Sequence, residues 1–384
     1  MRFHSLRLLL VLWVVVGVGL GGWAQPSAAR VDATPHVSAR LPIDPERVGY
    51  PRSIAALGDS ITIAVDATSL SIPQGEPANA WATGTNAAVN SHYQRILAAE
   101  PAINGNATNF AVNGAKMVDL LPQATQAVTT PHEYITLLAG ANDVCHRDAS
   151  DMTDVALYRT QFINVLTTLS SGLPDARIFV VSVPDVYQLW QLLHTNPSAR
   201  FIWNTFNVCQ AMLINPESTA QVDVERRARV RQRIVEYNTQ LAEVCATFIH
   251  CRFDGGAFFD GALSPSDIST IDYFHPSLGG QARLAAAAYA QTFAFTDTVA
   301  PVSRATAVQS GVMRQITLRA SDDVGVSGIE YRTTPTTWLR YTAPFLLAAN
   351  ETLIYRAVDV NGNIEGSHAD VVLVQPVFIP LLVR

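Results

Sequence analysis

The fold class predicted for this chain is a three-layer α/β domain followed by a small all-β sandwich, and three observations predict it. From Ser53 to Phe295, strand-like apolar runs alternate with helix-like segments, the pattern of a parallel sheet covered on both faces. Near Thr296-Asp297-Thr298-Val299-Ala300-Pro301 the composition shifts, and short alternating runs separated by turn signals follow, as in an antiparallel sandwich. Finally, 384 residues with 48% hydrophobic and 15% charged side chains provide for one large core and a smaller one. The formal net charge of −6 argues against nucleic acid or an anionic membrane surface as the main partner.

At the amino terminus, Arg2, His4 and Arg7 precede an apolar core from Leu8 to about Leu20, with small residues near Ala24 and Ala29. This reads as a secretory signal over residues 1–24, cleaved at Ala24 or Ala29; the short core argues against an uncleaved anchor. Export makes disulfides admissible for Cys145, Cys209, Cys245 and Cys251, and four cysteines allow three complete pairings. Residues 25–49, rich in Pro, Ala and Arg, read as a linker or wrapping arm.

Within the α/β region the expected strands are Ile54–Leu57, Thr108–Val112, Tyr134–Ala139, Ile178–Val183 and Phe248–Phe253. The expected helices are Val89–Ala99, Met117–Val128, Asp154–Ser171, Val224–Cys245 and Leu278–Phe293, the last opening after Pro276-Ser277 in the manner of a capped start. Two stretches break the rhythm, Ala67 to Ala88 and Pro184 to Val222. Long loops at the carboxyl ends of parallel strands commonly build a substrate pocket. In the β region the expected strands are Arg314–Ala320, Ile329–Thr333, Trp338–Thr342, Leu353–Asp359 and Asp370–Val374. Asp322 and Asp323 fit a capped turn better than a calcium site. An apolar tail, 377–384, is too short to span a bilayer.

Four short blocks carry the chemistry. Ala55-Ala56-Leu57-Gly58-Asp59-Ser60 places Ser60 between the end of a strand and the start of a helix, where free backbone N–H groups gather. Asn109 to Ala115 ends a second strand, and Gly114 can present its N–H with no side chain in the way. Leu138-Ala139-Gly140-Ala141-Asn142-Asp143 ends a third, and Asn142 offers a side-chain N–H. Asp272-Tyr273-Phe274-His275 precedes the last helix. Each block alone is explained by ordinary turn chemistry. Together they supply a nucleophile, a base, an orienting carboxylate and oxyanion donors, the complete set for acyl transfer. The nine histidines are scattered without a close pair such as His-x-x-x-His, so no metal site is expected.

In order and composition these blocks resemble the GDSL/SGNH hydrolase family, over roughly residues 50–296. The resemblance implies a flavodoxin-like fold and ester hydrolysis without a cofactor. It implies Ser60 as nucleophile, His275 as base and Asp272 as its orienting acid, with the oxyanion held by Ser60, Gly114 and Asn142. Cys145 and the segment Pro184-Asp185-Val186-Tyr187 look similar to the lipase and phospholipase B-like branches. Residues 320–332 and 355–363 resemble bacterial Ig-like modules, expected over 297–376. The expected enzyme is a secreted, monomeric, cofactor-free lipase or esterase that acts on a lipid or other small-molecule ester and has no nucleic-acid partner. The β module would make any surface or polysaccharide contact. The rival readings are a carbohydrate O-acetyl esterase and a surface-binding protein with an inactive hydrolase domain. Every candidate site residue precedes the β module, so activity is expected to survive its removal. Cys145 follows Asn142 by three residues and Cys209 lies in the irregular 184–222 stretch, so these two are expected to pair, leaving Cys245 with Cys251.

Overall fold

The computed structural model describes residue 41 and residues 43–373; the expected signal segment and apolar tail lie outside them. Five parallel strands form the central sheet: β1 (Ile54–Gly58), β2 (Ala107–Asn109), β3 (Tyr134–Leu138), β4 (Arg177–Val180) and β5 (Cys251–Phe253). Their order is β2-β1-β3-β4-β5. The connecting helices are α1 (His92–Ala99), α2 (Leu120–Ala127), α3 (Ala141–Val144), α4 (Val155–Gly172) and α5 (Val186–Leu193). Beyond these come α6 (Pro197–Thr205), α7 (Gln210–Leu213), α8 (Gln221–Cys245), α9 (Ala257–Asp260) and α10 (Leu278–Tyr289).

Strand residues alternate between two cores, which explains why β1 is an unbroken apolar run. Ala55, Leu57, Ile135 and Leu137 face Leu120 and Ala124 of α2, Phe162 and Leu166 of α4, and Ile234 and Leu241 of α8. Ile54, Ala56, Tyr134 and Leu138 face Ile96 of α1 and Leu284 and Ala288 of α10. The strand order reverses direction between β1 and β3, the point where sheets of this topology bind ligands beyond their carboxyl ends.

The 184–222 stretch contains three helices rather than open loop. Asp185 caps α5 by accepting the Tyr187 N–H, and Asn196 caps α6, which has Pro197 in its first turn. None exceeds nine residues, too few turns to display a helical period. β5 starts later than expected because residues 245–251 form a turn closed by the Cys245–Cys251 disulfide.

Beyond residue 301 the chain forms two sheets. One has the order β10-β7-β6-β12, built from β6 (Val302–Ser310), β7 (Met313–Ser321), β10 (Phe345–Ala348) and β12 (Val371–Leu373). The other is β11-β8-β9, built from β8 (Val326–Arg332), β9 (Leu339–Arg340) and β11 (Ile354–Asp359). Ala305, Ile316, Leu318, Leu347 and Ala357 fill the space between them. β6 was not expected, because its inward residues are mainly small (Ala305 and Ala307) and give a weak period-2 signal. Asp322 accepts the N–H groups of Val324 and Gly325 at 2.9 and 3.0 Å, a capped turn.

This β region docks on the amino ends of the parallel strands, opposite the face that carries Ser60. Arg177, at the start of β4, is buried and donates to the Gly362 carbonyl at 3.0 Å and to Asn363 Oδ1 at 2.9 Å. His250 meets Glu330 at 3.2 Å, and Arg356 reaches both Glu330 at 2.9 Å and Asp175 at 2.7 Å. Arg356 also lies over the Trp338 ring, 4.1 Å from its centroid. The amino-terminal arm joins this seam: Arg47 pairs with Ile364, and Asp44 binds Arg332 at 2.7 Å.

Removing one member of a buried ion pair leaves the other charge uncompensated. Arg356→Ala is therefore expected to lower the free energy of unfolding by about 3 kcal/mol or more in urea titrations. Burial pushes the Glu330 carboxyl up, but His250 and Arg356 outweigh it and hold the group below its usual 4.5. That contribution is fully present above about pH 4.5 and is lost as pH falls through the lowered folded value. Urea titrations of wild type across pH 3–6 are expected to show this loss, and Glu330→Gln to blunt it.

Candidate active site

The carboxyl end of β1 is fixed by a side-chain amide. Gln123, buried in α2, accepts the Gly58 N–H at 2.8 Å and donates to the Gly58 carbonyl at 2.9 Å. The chain then turns: the Asp59 carbonyl accepts the Thr62 N–H at 3.0 Å, and Asp59 Oδ1 accepts the Ile61 N–H at 3.0 Å. A second buried amide, Gln281 of α10, donates to the Ile61 carbonyl at 2.8 Å and accepts the Trp81 N–H at 3.1 Å. Ser60 is thereby locked at the turn, only 5% exposed.

His275 arrives from a loop built around Asp272. One Asp272 oxygen accepts the N–H groups of Phe274 and His275 at 2.9 and 3.0 Å, and the other takes His275 Nδ1. Tyr273 adopts the left-handed region (φ +55°), and its carbonyl accepts Trp203 Nε1 of α6 at 3.0 Å. Ser277 caps α10 immediately after this loop. His275 Nε2 then stands 2.7 Å from Ser60 Oγ, a hydrogen bond between groups 215 residues apart.

Of the other two expected residues, Asn142 lines the same cavity as Ser60, and Gly114 precedes Ala115, whose carbonyl Asn142 contacts. Gly114 has φ +76° and open space where a side chain would stand, so backbone conformation rather than crowding calls for glycine. Among the described residues, the N–H groups of Ser60 and Gly114 donate to no protein acceptor. Asn142 opens α3, and its Nδ2 donates to the Ala115 carbonyl at 3.0 Å, with Asp59 Oδ2 at 3.4 Å. The turn before it needs Gly140: at φ +134°, a Cβ there would stand 2.5 Å from Val183 and 2.9 Å from Tyr158.

Ser60, His275 and Asn142 open into a narrow cavity. Val186 and Leu189 of α5, Phe258, Leu263, Ile268 and Phe274 make most of it apolar. The Cys145–Cys209 disulfide ties the segment between α6 and α7 to the end of α3, and Cys245–Cys251 is formed as expected. Chemically, a hydroxyl bound to an imidazole that is bound to a carboxylate, beside free N–H donors, can attack a carbonyl carbon and hold the resulting oxyanion.

Two buried acids flank the site. Burial pushes Asp59 up to about 7, opposed by the Ile61 N–H and by His275. Burial likewise pushes Asp143, which accepts the Met117 N–H at 2.9 Å, up to about 6. Sequence reasoning missed the roles of Gln123, Gln281 and Trp203; Gln281 is the one amide of α10, whereas α2 carries both Gln123 and Gln126 and no pattern sets them apart.

A family model for the GDSL-like lipase/acylhydrolase family matches residues 56–283. No curated protein matches the chain. Among solved structures, the extracellular lipase from Streptomyces rimosus is similar at 16% identity, covering 62% of this chain and 99% of that one, with a TM-score of 0.39. Phospholipase A1 from Streptomyces albidoflavus aligns at 15% identity over 64% of this chain and 100% of that one, with a TM-score of 0.38. A family two carbohydrate esterase from Clostridium thermocellum aligns at 15% identity over 64% of each chain, with a TM-score of 0.34.

Two predictions follow from the buried acids and the disulfide. A carboxyl raised in the folded state contributes stability that is full below its unfolded value of 3.8 and is lost as pH rises through about 6. Asp143→Asn, which keeps an acceptor for Met117, is expected to gain on wild type by roughly 3 kcal/mol between pH 3 and pH 8, read as a crossing of the two Tm curves. Opening the loop between cysteines 64 residues apart removes about 4 kcal/mol in the chain-entropy model. Replacing both Cys145 and Cys209 by serine should accordingly lower Tm and esterase activity together.

Proposed function

This chain belongs to the GDSL-like lipase/acylhydrolase family, and from that premise we propose that it is an exported serine hydrolase of carboxylic esters with an acyl chain. The observation that carries the reading is the hydrogen-bonded series Ser60–His275–Asp272 at the edge of an apolar cavity. His275 Nε2 takes the Ser60 proton as Oγ bonds the ester carbonyl carbon, and the carbonyl electron pair moves onto oxygen. The N–H groups of Ser60 and Gly114 receive that oxyanion, joined by Asn142 Nδ2 as it exchanges its longer, 3.4 Å contact with Asp59 Oδ2 for the oxyanion. Its collapse expels the alkoxide, which takes the proton from His275 and leaves Ser60 acylated. Water repeats the cycle and releases the acid.

The acyl chain occupies the cavity formed by Val186, Leu189, Phe258 and Leu263, whose apolar walls favour a medium or long chain over acetate. Export is supported by the amino-terminal pattern of residues 1–24 and by the two disulfides. The hydrolase occupies residues 50–296 and an Ig-like module residues 297–376, a division supported by the switch from a parallel to two largely antiparallel sheets.

Ser60→Ala is expected to cut kcat/KM on an aryl ester at least about 1,000-fold with the fold intact. A loss of less than about tenfold, only 1.4 kcal/mol, would remove Ser60 from the mechanism. A series of aryl esters from acetate to laurate, run beside acetylated sugars and phospholipids, is expected to peak above acetate. Activity confined to acetyl groups would instead assign the enzyme to sugar deacetylation.

A further inference from the structure

One charged group at the site is left unused by this mechanism. Asp66, fully buried, lies on the loop that follows the Ser60 turn and adopts φ +54°, a left-handed conformation that an aspartate tolerates but does not prefer. The loop is firmly held. Asp66 Oδ1 accepts the Ser71 N–H at 2.7 Å, its own N–H donates to Ser71 Oγ at 2.7 Å, and its carbonyl accepts Ser269 Oγ at 2.5 Å. The second oxygen, Oδ2, is buried and has no hydrogen-bond partner. An oxygen of Asp66, an oxygen of Asp272 and a ring nitrogen of His275 lie within 4.8 Å of one another.

A buried carboxylate oxygen without a donor is costly unless a nearby charge compensates it. The charged groups around His275 are Asp272 on its own loop, Asp59 from the turn after β1, Asp66, and Asp185, Asp267 and Arg283 around the cavity. Asp185 is paired with Arg231 at 2.9 Å and Asp267 with Arg283 at 3.3 Å, so neither lacks a cation. Asp66 makes no ion pair with an arginine or lysine among the described residues. The group beside it that acquires positive charge during the reaction is the His275 ring.

We propose that Asp66 is a positioning residue for His275, a second carboxylate that joins Asp272 in stabilising the imidazolium formed when the Ser60 proton is taken. Asp272 orients the ring through Nδ1, while Asp66, held by Ser71 and Ser269, adds charge without a direct hydrogen bond. Its uncompensated oxygen is a cost borne in the resting enzyme and relieved when the ring becomes a cation, the direction that favours the transition state. This role rests on the serine-hydrolase reading above.

The test is Asp66→Asn, which keeps the oxygen that accepts from Ser71, removes the charge and puts an amide NH2 in place of the partnerless oxygen. It is expected to lower kcat about tenfold with KM changed less than about twofold. It is also expected to move the acid limb of the kcat/KM profile to lower pH by about one unit, because a ring facing less negative charge protonates less readily. Ser71→Ala, which loosens Asp66 without touching the charge, is expected to give a smaller shift of the same sign, and it carries the test should the Asn variant fail to fold. An acid limb that stays put or moves to higher pH in the folded variant overturns the proposal. So does a lowered Tm with kcat within twofold of wild type, the result a purely structural aspartate would give. Ser60→Ala assayed in parallel separates the two readings: its inactivity beside an unmoved Asp66→Asn profile removes only the role of Asp66, whereas its activity removes the serine mechanism itself.

Discussion

The hydrogen bond between Ser60 and His275 is the contact around which the proposed chemistry of the α/β domain is arranged, because it joins two turns 215 residues apart in sequence. Holding it at 2.7 Å requires both turns to be rigid independently of each other. The protein achieves this with buried polar groups. Gln123 completes the hydrogen bonding of Gly58, where the β1 ladder ends, and Gln281 fastens the turn after Ser60 to α10. Asp272 folds its own loop before it binds the imidazole, so a single carboxylate fixes both backbone and ring. Each of these groups is satisfied, which is the condition under which buried polarity rigidifies a structure rather than loosening it.

Much of this was legible in the sequence. β1 and β3 are continuous apolar runs ended by Gly-containing turns, and burial on both faces is the physical cause of that signature. The four candidate blocks were recognisable because together they offer the residue types that acyl transfer would require. The helices between residues 184 and 222 were not legible, since each is short and held by caps and a disulfide more than by a periodic apolar face. β6 was hidden by the small side chains it turns inward. Asp66 escaped notice for another reason: an aspartate between Val65 and Ala67, just ahead of the first irregular stretch, has no local pattern, and only the folded chain brings it near His275.

The polar seam beneath the sheet follows a different logic from the site. Arg177, His250, Glu330 and Arg356 are all less than one-tenth exposed, yet they bind one another and backbone carbonyls across the two regions. An apolar seam would tolerate sliding, whereas a set of directional, charge-assisted bonds specifies one orientation. The stacking of Arg356 on Trp338 adds a further directional contact. The boundary near residue 297 is thus a packed surface in which each region supplies counter-charges to the other. The sequence reading of residues 25–49 left a linker or a wrapping arm open; Arg47 and Asp44 behave as an arm, through contacts with residues far along the chain.

The pairing of the amino-terminal arm with the β region also sets an order of events. Asp44 and Ser367 are in contact although 323 residues separate them, so the arm encloses the whole α/β region as an insertion. A chain threaded through a membrane amino end first would release the arm long before its partner, and loop closure over such a distance comes late in folding. The central sheet is complete by Phe253 and has no need to wait. On that ground assembly is expected to run from the middle outwards, with the arm settling last, as a clasp over the final strands.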